Sequence, residues 1–166
     1  MENGTFVQPP AEADGFADPE RAFGRPATTA LVARGACRHL RALGFGVVAE
    51  FGLASGRRAD LACLGPKGEF WIVEVKSSIE DFRADRKWPD YRLHCDRLLF
   101  AVGPDFPVAL LPEDAGLMIA DSYGAVLVRE GLHHPLPGAT RKSMLVRFGL
   151  VAALRLHSLN DPDFSG

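Results

Sequence analysis

Cysteine is scarce, acidic residues are missing from two long stretches, and apolar residues nowhere run far enough to cross a membrane. The three cysteines, Cys37, Cys63 and Cys95, are odd in number and form no C-x-x-C pair, which argues against a disulfide framework or a cysteine zinc site. They read as reduced, mostly buried small hydrophobes. A spanning helix needs about 18 or more consecutive apolar residues, and no segment supplies them. The amino-terminal MENGTFVQPPAEADGFADPE is acidic, contains three prolines and lacks the basic start and apolar centre of a secretory signal. A cytoplasmic protein with no membrane partner is the expectation. No G-x-S-x-G occurs, which disfavours a serine hydrolase, and no G-x-x-x-x-G-K-[ST], so ATP is not implied. His133 and His134 have only Glu130 nearby, too few ligands for zinc.

What is present suits a single globular domain: 166 residues, 47% hydrophobic and 24% charged. The net charge of −2 hides an asymmetry. Residues 1–23 carry five acids and one base and read as a flexible acidic arm, leaving 24–166 as one domain. Stretches 21–49 and 139–159 contain no acid, and each includes an expected helix. Basic helices on a nearly neutral protein suit a polyanionic partner, although net charge alone does not predict one.

The chain pattern predicts a helix from a Thr28 or Thr29 cap to about Leu43, with an apolar stripe of Val32, Ala36, Leu40 and Leu43 and a basic stripe of Arg34, Arg38 and Arg41 opposite. Strands follow at 46–51, 57–64 and 69–76, then two short helical pieces within 79–94 broken at Pro89, and a strand at 97–102. A hairpin around Ser122, Tyr123 and Gly124 and a helix over about 139–158 complete the order. That order predicts an α/β fold, a mixed central sheet flanked by helices.

The stretch FWIVEVKSS (70–78) places Glu74 and Lys76 on one face of an apolar strand. With Pro66, Lys67 and Gly68 as the loop, Asp60 faces Glu74 and Arg58 faces Lys76, two like-charge pairs. A cation between the carboxylates relieves one of them. Mg²⁺ takes one or two carboxylates, keeps several waters and leaves room for a phosphate. Lys76 then stands where it can hold a water or stabilise charge on that phosphate, and the Val75 carbonyl is a further candidate ligand. The competing reading puts Glu74 and Lys76 on the solvated face of an edge strand.

A D-x(13)-E-x-K pattern on a hairpin between two helices resembles the PD-(D/E)XK nuclease superfamily. The stretch RRADLACLGPKGEFWIVEVKSSIEDFRADRKWPDYRLHCDRLLFAV (57–102) resembles more closely the bacterial MmcB-like DNA repair family, and the likeness covers roughly residues 27–157. The resemblance implies a restriction-endonuclease-like core and Mg²⁺- or Mn²⁺-dependent cleavage of DNA in repair. It carries over Asp60 and Glu74 as metal ligands and Lys76 as the catalytic lysine. Two positions depart from the pattern: Ala59 stands in place of the name-giving proline, and the first helix offers no carboxylate. Glu50 is a candidate substitute ligand, or else a surface acid beside Arg57 or Arg58. Single-site nucleases often need two chains for two strands, so a homodimer is a further expectation.

Arg58, Ser77, Lys87, Trp88 and Tyr91 are the candidate DNA contacts. Lys87 and Tyr91 suit phosphate, and the rings of Trp88 and Tyr91 suit stacking on an unpaired base. Each has a plainer alternative: Ser77 or Ser78 as a helix cap, Trp88 as core. Two other function classes remain: a non-catalytic DNA-binding module on the same fold, and a partner-recruiting accessory protein.

Overall fold

The computed structural model describes residues 27–163; the acidic arm expected at 1–23 lies outside the described residues. Helix α1 (Ala27–Ala42) leads into strands β1 (Gly46–Gly52), β2 (Arg58–Leu64) and β3 (Phe70–Lys76). Two short helices, α2 (Ile79–Ala84) and α3 (Trp88–Tyr91), and a 3₁₀ turn lead to β4 (Arg97–Val102). Strands β5 (Gly116–Ala120) and β6 (Ala125–Arg129) precede the long helix α4 (Gly138–Asn160). The six strands form one sheet in chain order, antiparallel from β1 to β3, parallel from β3 to β5, and antiparallel again at β5–β6. This is the mixed α/β sheet expected, consistent with a restriction-endonuclease-like core.

β3 is central and all seven of its residues are buried, which disposes of the edge-strand reading. Its alternation sorts the two faces. Trp71, Val73 and Val75 pack under α1 with Ala33, Cys37 and Leu40. Phe70 and Ile72 meet α4 on the other face, where Phe70 stands edge-on to Phe148 at 5.9 Å and Phe51 lies 6.1 Å from both. Burying side chains of this size stabilises by about 1.5–3 kcal/mol each. Cys37, Cys63 and Cys95 are buried thiols, as expected.

α1 lies so close to the β5–β6 turn that a Cβ on Gly35 would sit 2.1 Å from the Asp121 carbonyl oxygen. The glycine that weakens this helix on propensity is thus demanded by packing. Thr28 and Thr29 lie inside α1 rather than capping it, and Leu43 falls past its end, half exposed. The break between α2 and α3 comes at residues 85–87, not at Pro89. The proline occupies the first turn of α3, where its missing N–H costs no helical bond.

Asp96 ties the layers together. Its fully buried carboxylate accepts from Phe70 N at 2.7 Å, Leu136 N at 2.8 Å and the Arg141 guanidinium at 2.6 and 2.9 Å. Burial opposes its ionisation, but Arg141 and the two amides outweigh it and hold the carboxyl below its usual range. One side chain therefore joins the start of β3 to the first turns of α4.

A carboxylate pair at the fork of two strands

The loop at 65–68 is as the sequence predicts. Gly68 has φ +82°, Gly65 N donates to Glu69 O at 2.8 Å, and Leu64, Ala62 and Leu61 pair with Phe70, Ile72 and Val73. The ladder stops there, because β2 and β3 diverge beyond Leu61 and Val73. At the resulting fork, side chains replace the missing backbone partners. Asp60 N donates to Glu74 Oε1 at 3.1 Å, and Val75 N donates to Asp60 Oδ2 at 2.7 Å. The two carboxylates are thereby held against each other's strands. The expected pairing of Arg58 with Lys76 is not formed; Arg58 pairs instead with Gly52 of β1 and its side chain meets Glu50 at 2.5 Å.

Glu74 is 2% exposed and Lys76 4%. Burial pushes the Glu74 carboxyl well up, the Asp60 charge adds to this, and the Asp60 amide and Lys76 only partly offset both. Lys76 Nζ lies 3.9 Å from Glu74 Oε2 but 2.6 Å from Asp85 Oδ2. Burial works against its charge, yet the bond to Asp85 and the Glu74 charge outweigh burial and raise it. Burial likewise opposes ionisation of Asp85, and Lys76 with the Lys87 amide reverses that effect. The charged Lys76–Asp85 pair is therefore the stable form.

These groups line a cleft of about 610 Å³. Of the residues anticipated, Asp60, Glu74, Val75, Lys76, Ser77, Lys87 and Tyr91 border it; Glu50, Arg58 and Trp88 do not. Glu50 adopts φ +49° within β1, a costly backbone for a non-glycine residue, and lets Val48 and Phe51, three positions apart, enter the same core cluster. Trp88 packs edge-on to Phe100 at 5.6 Å with the Arg92 guanidinium over its ring. Ser78 caps α2, accepting from Asp81 N at 3.1 Å. The Tyr91 hydroxyl donates to Arg58 O at 3.0 Å, and burial together with the nearby carboxylates raises its pKa.

Three contributors escaped the sequence reading: Thr29, Asp81 and Asp85. Thr29 is where α1 reaches the cleft, a hydroxyl where a carboxylate was sought. Asp85 is one of five acids (Glu80, Asp81, Asp85, Asp90 and Asp96) interleaved with bases over 79–97, a pattern of ordinary surface charge. Its spacing from Lys76 follows only from the path of α2, which Phe82 anchors edge-on against Phe100 at 5.6 Å.

The donors suit a hard divalent cation. Two facing carboxylates, one of them buried and resisting ionisation, form an all-oxygen set that a cation relieves. Asp60 and Glu74 would supply two carboxylates; Val75, whose carbonyl is a further candidate ligand, borders the same cleft, and other positions would be left to water or phosphate.

Fold and cleft together define an α/β protein with a restriction-endonuclease-like core and an acidic pair with a buried lysine at a strand fork. A family model described as DNA repair protein MmcB-like matches residues 17–163, and the chain belongs to that family. It is also 45% identical to a solved protein of unknown function from Silicibacter pomeroyi, with a TM-score of 0.79 over 91% of this chain and 97% of that one. No curated protein matches. The family places the protein in DNA repair, and no helix among the described residues is long and apolar enough to cross a membrane.

Proposed function

We propose that the protein is a Mg²⁺- or Mn²⁺-dependent DNA nuclease of repair that hydrolyses phosphodiester bonds. The observation that carries this reading is the fork, where Asp60 and Glu74 are locked side by side next to a buried, charged Lys76. Asp60 and Glu74 would hold the ion. When bound, a divalent ion supplies Lewis-acid stabilisation of charge on the phosphate. Lys76 directs an ammonium into the same space, where it can orient an attacking water or neutralise charge developing on the phosphoryl oxygens. Lys87, exposed at the rim, contacts the DNA backbone, and Ser77 and Tyr91 shape the floor. Incubation of the purified chain with DNA and Mn²⁺, beside Asp60→Asn and Lys76→Ala, tests this. Cleavage by the parent alone supports it; equal cleavage by all three would remove the site from the reaction.

The second reading, a non-catalytic DNA-binding module, is favoured by one observation: α1 brings Thr29 rather than an acid to the cleft. DNA binding in calorimetry with no heat of Mn²⁺ binding that depends on Asp60 would establish it.

A further inference from the structure

The E-x-K motif by itself leaves the lysine with an unwanted choice. Lys76 lies between two carboxylates, and the nearer one in sequence, Glu74, is the group proposed to hold a cation. An ammonium that settled on Glu74 would compete with that cation for the same oxygens. In the structure Lys76 does not settle there: it stands 3.9 Å from Glu74 Oε2 and 2.6 Å from Asp85 Oδ2.

Asp85 is built for this contact. It follows α2, and its own N–H bonds Asp81 O at 3.2 Å. Both its carboxylate oxygens are engaged, Oδ1 by Lys87 N at 2.8 Å and Oδ2 by Lys76 Nζ. Its side chain is 17% exposed, so the pair forms in a partly desolvated setting where one well-placed bond counts for more than at the surface. Asp85 also joins no three-residue metal-ligand cluster among the described residues.

We infer that Asp85 is a positioning residue: it draws the Lys76 ammonium away from Glu74 and so leaves the Asp60–Glu74 pair open to a divalent cation. The inference rests on the metal-dependent reading above and adds to it a residue from outside the motif. Without Asp85 the ammonium's nearest remaining carboxylate is Glu74, with Asp81 farther off in the same cleft, and entering metal must displace it.

The test is Mn²⁺ titration of the full chain by calorimetry, without DNA, so that the readout is independent of cleavage. Asp60→Asn reports whether binding occurs at the proposed pair. Asp85→Asn keeps the shape and an acceptor for Lys87 N; it is expected to weaken Mn²⁺ about 10-fold, the scale typical of residues supporting metal ligands. Asp85→Glu, which keeps the anion, restores affinity to within about threefold of the parent on the same scale. The deciding comparison uses Lys76→Met: with the ammonium gone, Asp85→Asn should cost less than about threefold, because nothing is left to divert. Equal losses with and without Lys76 would show that Asp85 acts as a ligand or by charge alone and would overturn the inference, as would parental affinity in Asp85→Asn. Parental Mn²⁺ binding that ignores Asp60→Asn, or no binding at all, would overturn the metal reading and this inference with it. Thermal unfolding checks that each variant is folded, and Asp85→Ser, which also retains an acceptor for Lys87 N, replaces Asp85→Asn if that variant is not.

Discussion

Asp60 and Glu74 exchange support across the fork of β2 and β3: the amide of one bonds the carboxylate of the other at 3.1 Å, and the Asp60 carboxylate in turn takes the Val75 amide at 2.7 Å. Two carboxyl groups are thus fixed where burial and the Asp60 charge make ionisation of Glu74 costly. Sites of this kind trade stability for function. Replacing Glu74 with glutamine keeps the hydrogen-bonding shape and removes one charge. In EDTA, Glu74→Gln should therefore unfold at a higher temperature than the parent, by a difference worth about 1–2 kcal/mol. Calorimetric melting with and without Mn²⁺ checks this, and only the parent should gain stability from the metal.

Lys76→Ala should reduce DNA cleavage in Mn²⁺ by about 100-fold or more, the usual loss when one preorganised charge is removed from a reacting centre. Trp88→Ala should act otherwise. Its half-buried ring packs on Phe100 outside the cleft, so a loss of stability of about 1–2 kcal/mol is expected, with affinity for single-stranded DNA retained in the folded fraction. Fluorescence anisotropy at a temperature where the variant is folded separates the two effects.

The cleft lining carries Asp60, Glu74, Asp81 and Asp85 against Lys76 and Lys87. A phosphate approaching this excess of anions is repelled until a cation is in place. DNA affinity should thus rise about 10-fold or more on adding Mn²⁺ to EDTA-treated protein at constant ionic strength. Anisotropy with a labelled duplex measures it, and Asp60→Asn should flatten the metal dependence.

Asp96 contributes to the pH dependence of stability, alongside Asp85. Its folded pKa is held down, so its contribution is present above the unfolded value, near 3.9, and is lost as pH falls through the lower folded value. Acid unfolding of the parent should steepen below about pH 4, and Asp96→Asn should make that slope shallower, leaving the part that Asp85 supplies. Asp96→Ala should cost about 2–4 kcal/mol, since it leaves two buried amides unpaired while Arg141 keeps only the Gly68 carbonyl. Asp90→Ala breaks only the exposed pair with Arg57 and should cost about 1 kcal/mol or less.

Gly35→Ala should destabilise by about 2–3 kcal/mol even though alanine is the better helix former by roughly 1 kcal/mol, because the added methyl would collide with two carbonyl oxygens of the β5–β6 turn. Chemical denaturation gives the sign directly.

What the sequence determined by itself is local. Period-two alternation put Glu74 and Lys76 on one side of β3, Gly68 marked the left-handed turn, and that turn set the register bringing Asp60 opposite Glu74. Each of these depends on residues joined by one hairpin. Tertiary structure decided the rest. The strands part after Leu61 and Val73, so Asp60 and Glu74 bond to backbone while Arg58 goes to Glu50. The same folding selected Asp85 among many nearby acids, carried Thr29 to the cleft, laid the half-buried Trp88 against the core and joined Asp96 to Arg141. Chain neighbours share a short tether and a fixed periodicity, which the residue pattern reveals. Partners separated by a crossover or a helix meet only through the packing of whole elements, and no local pattern encodes that distance.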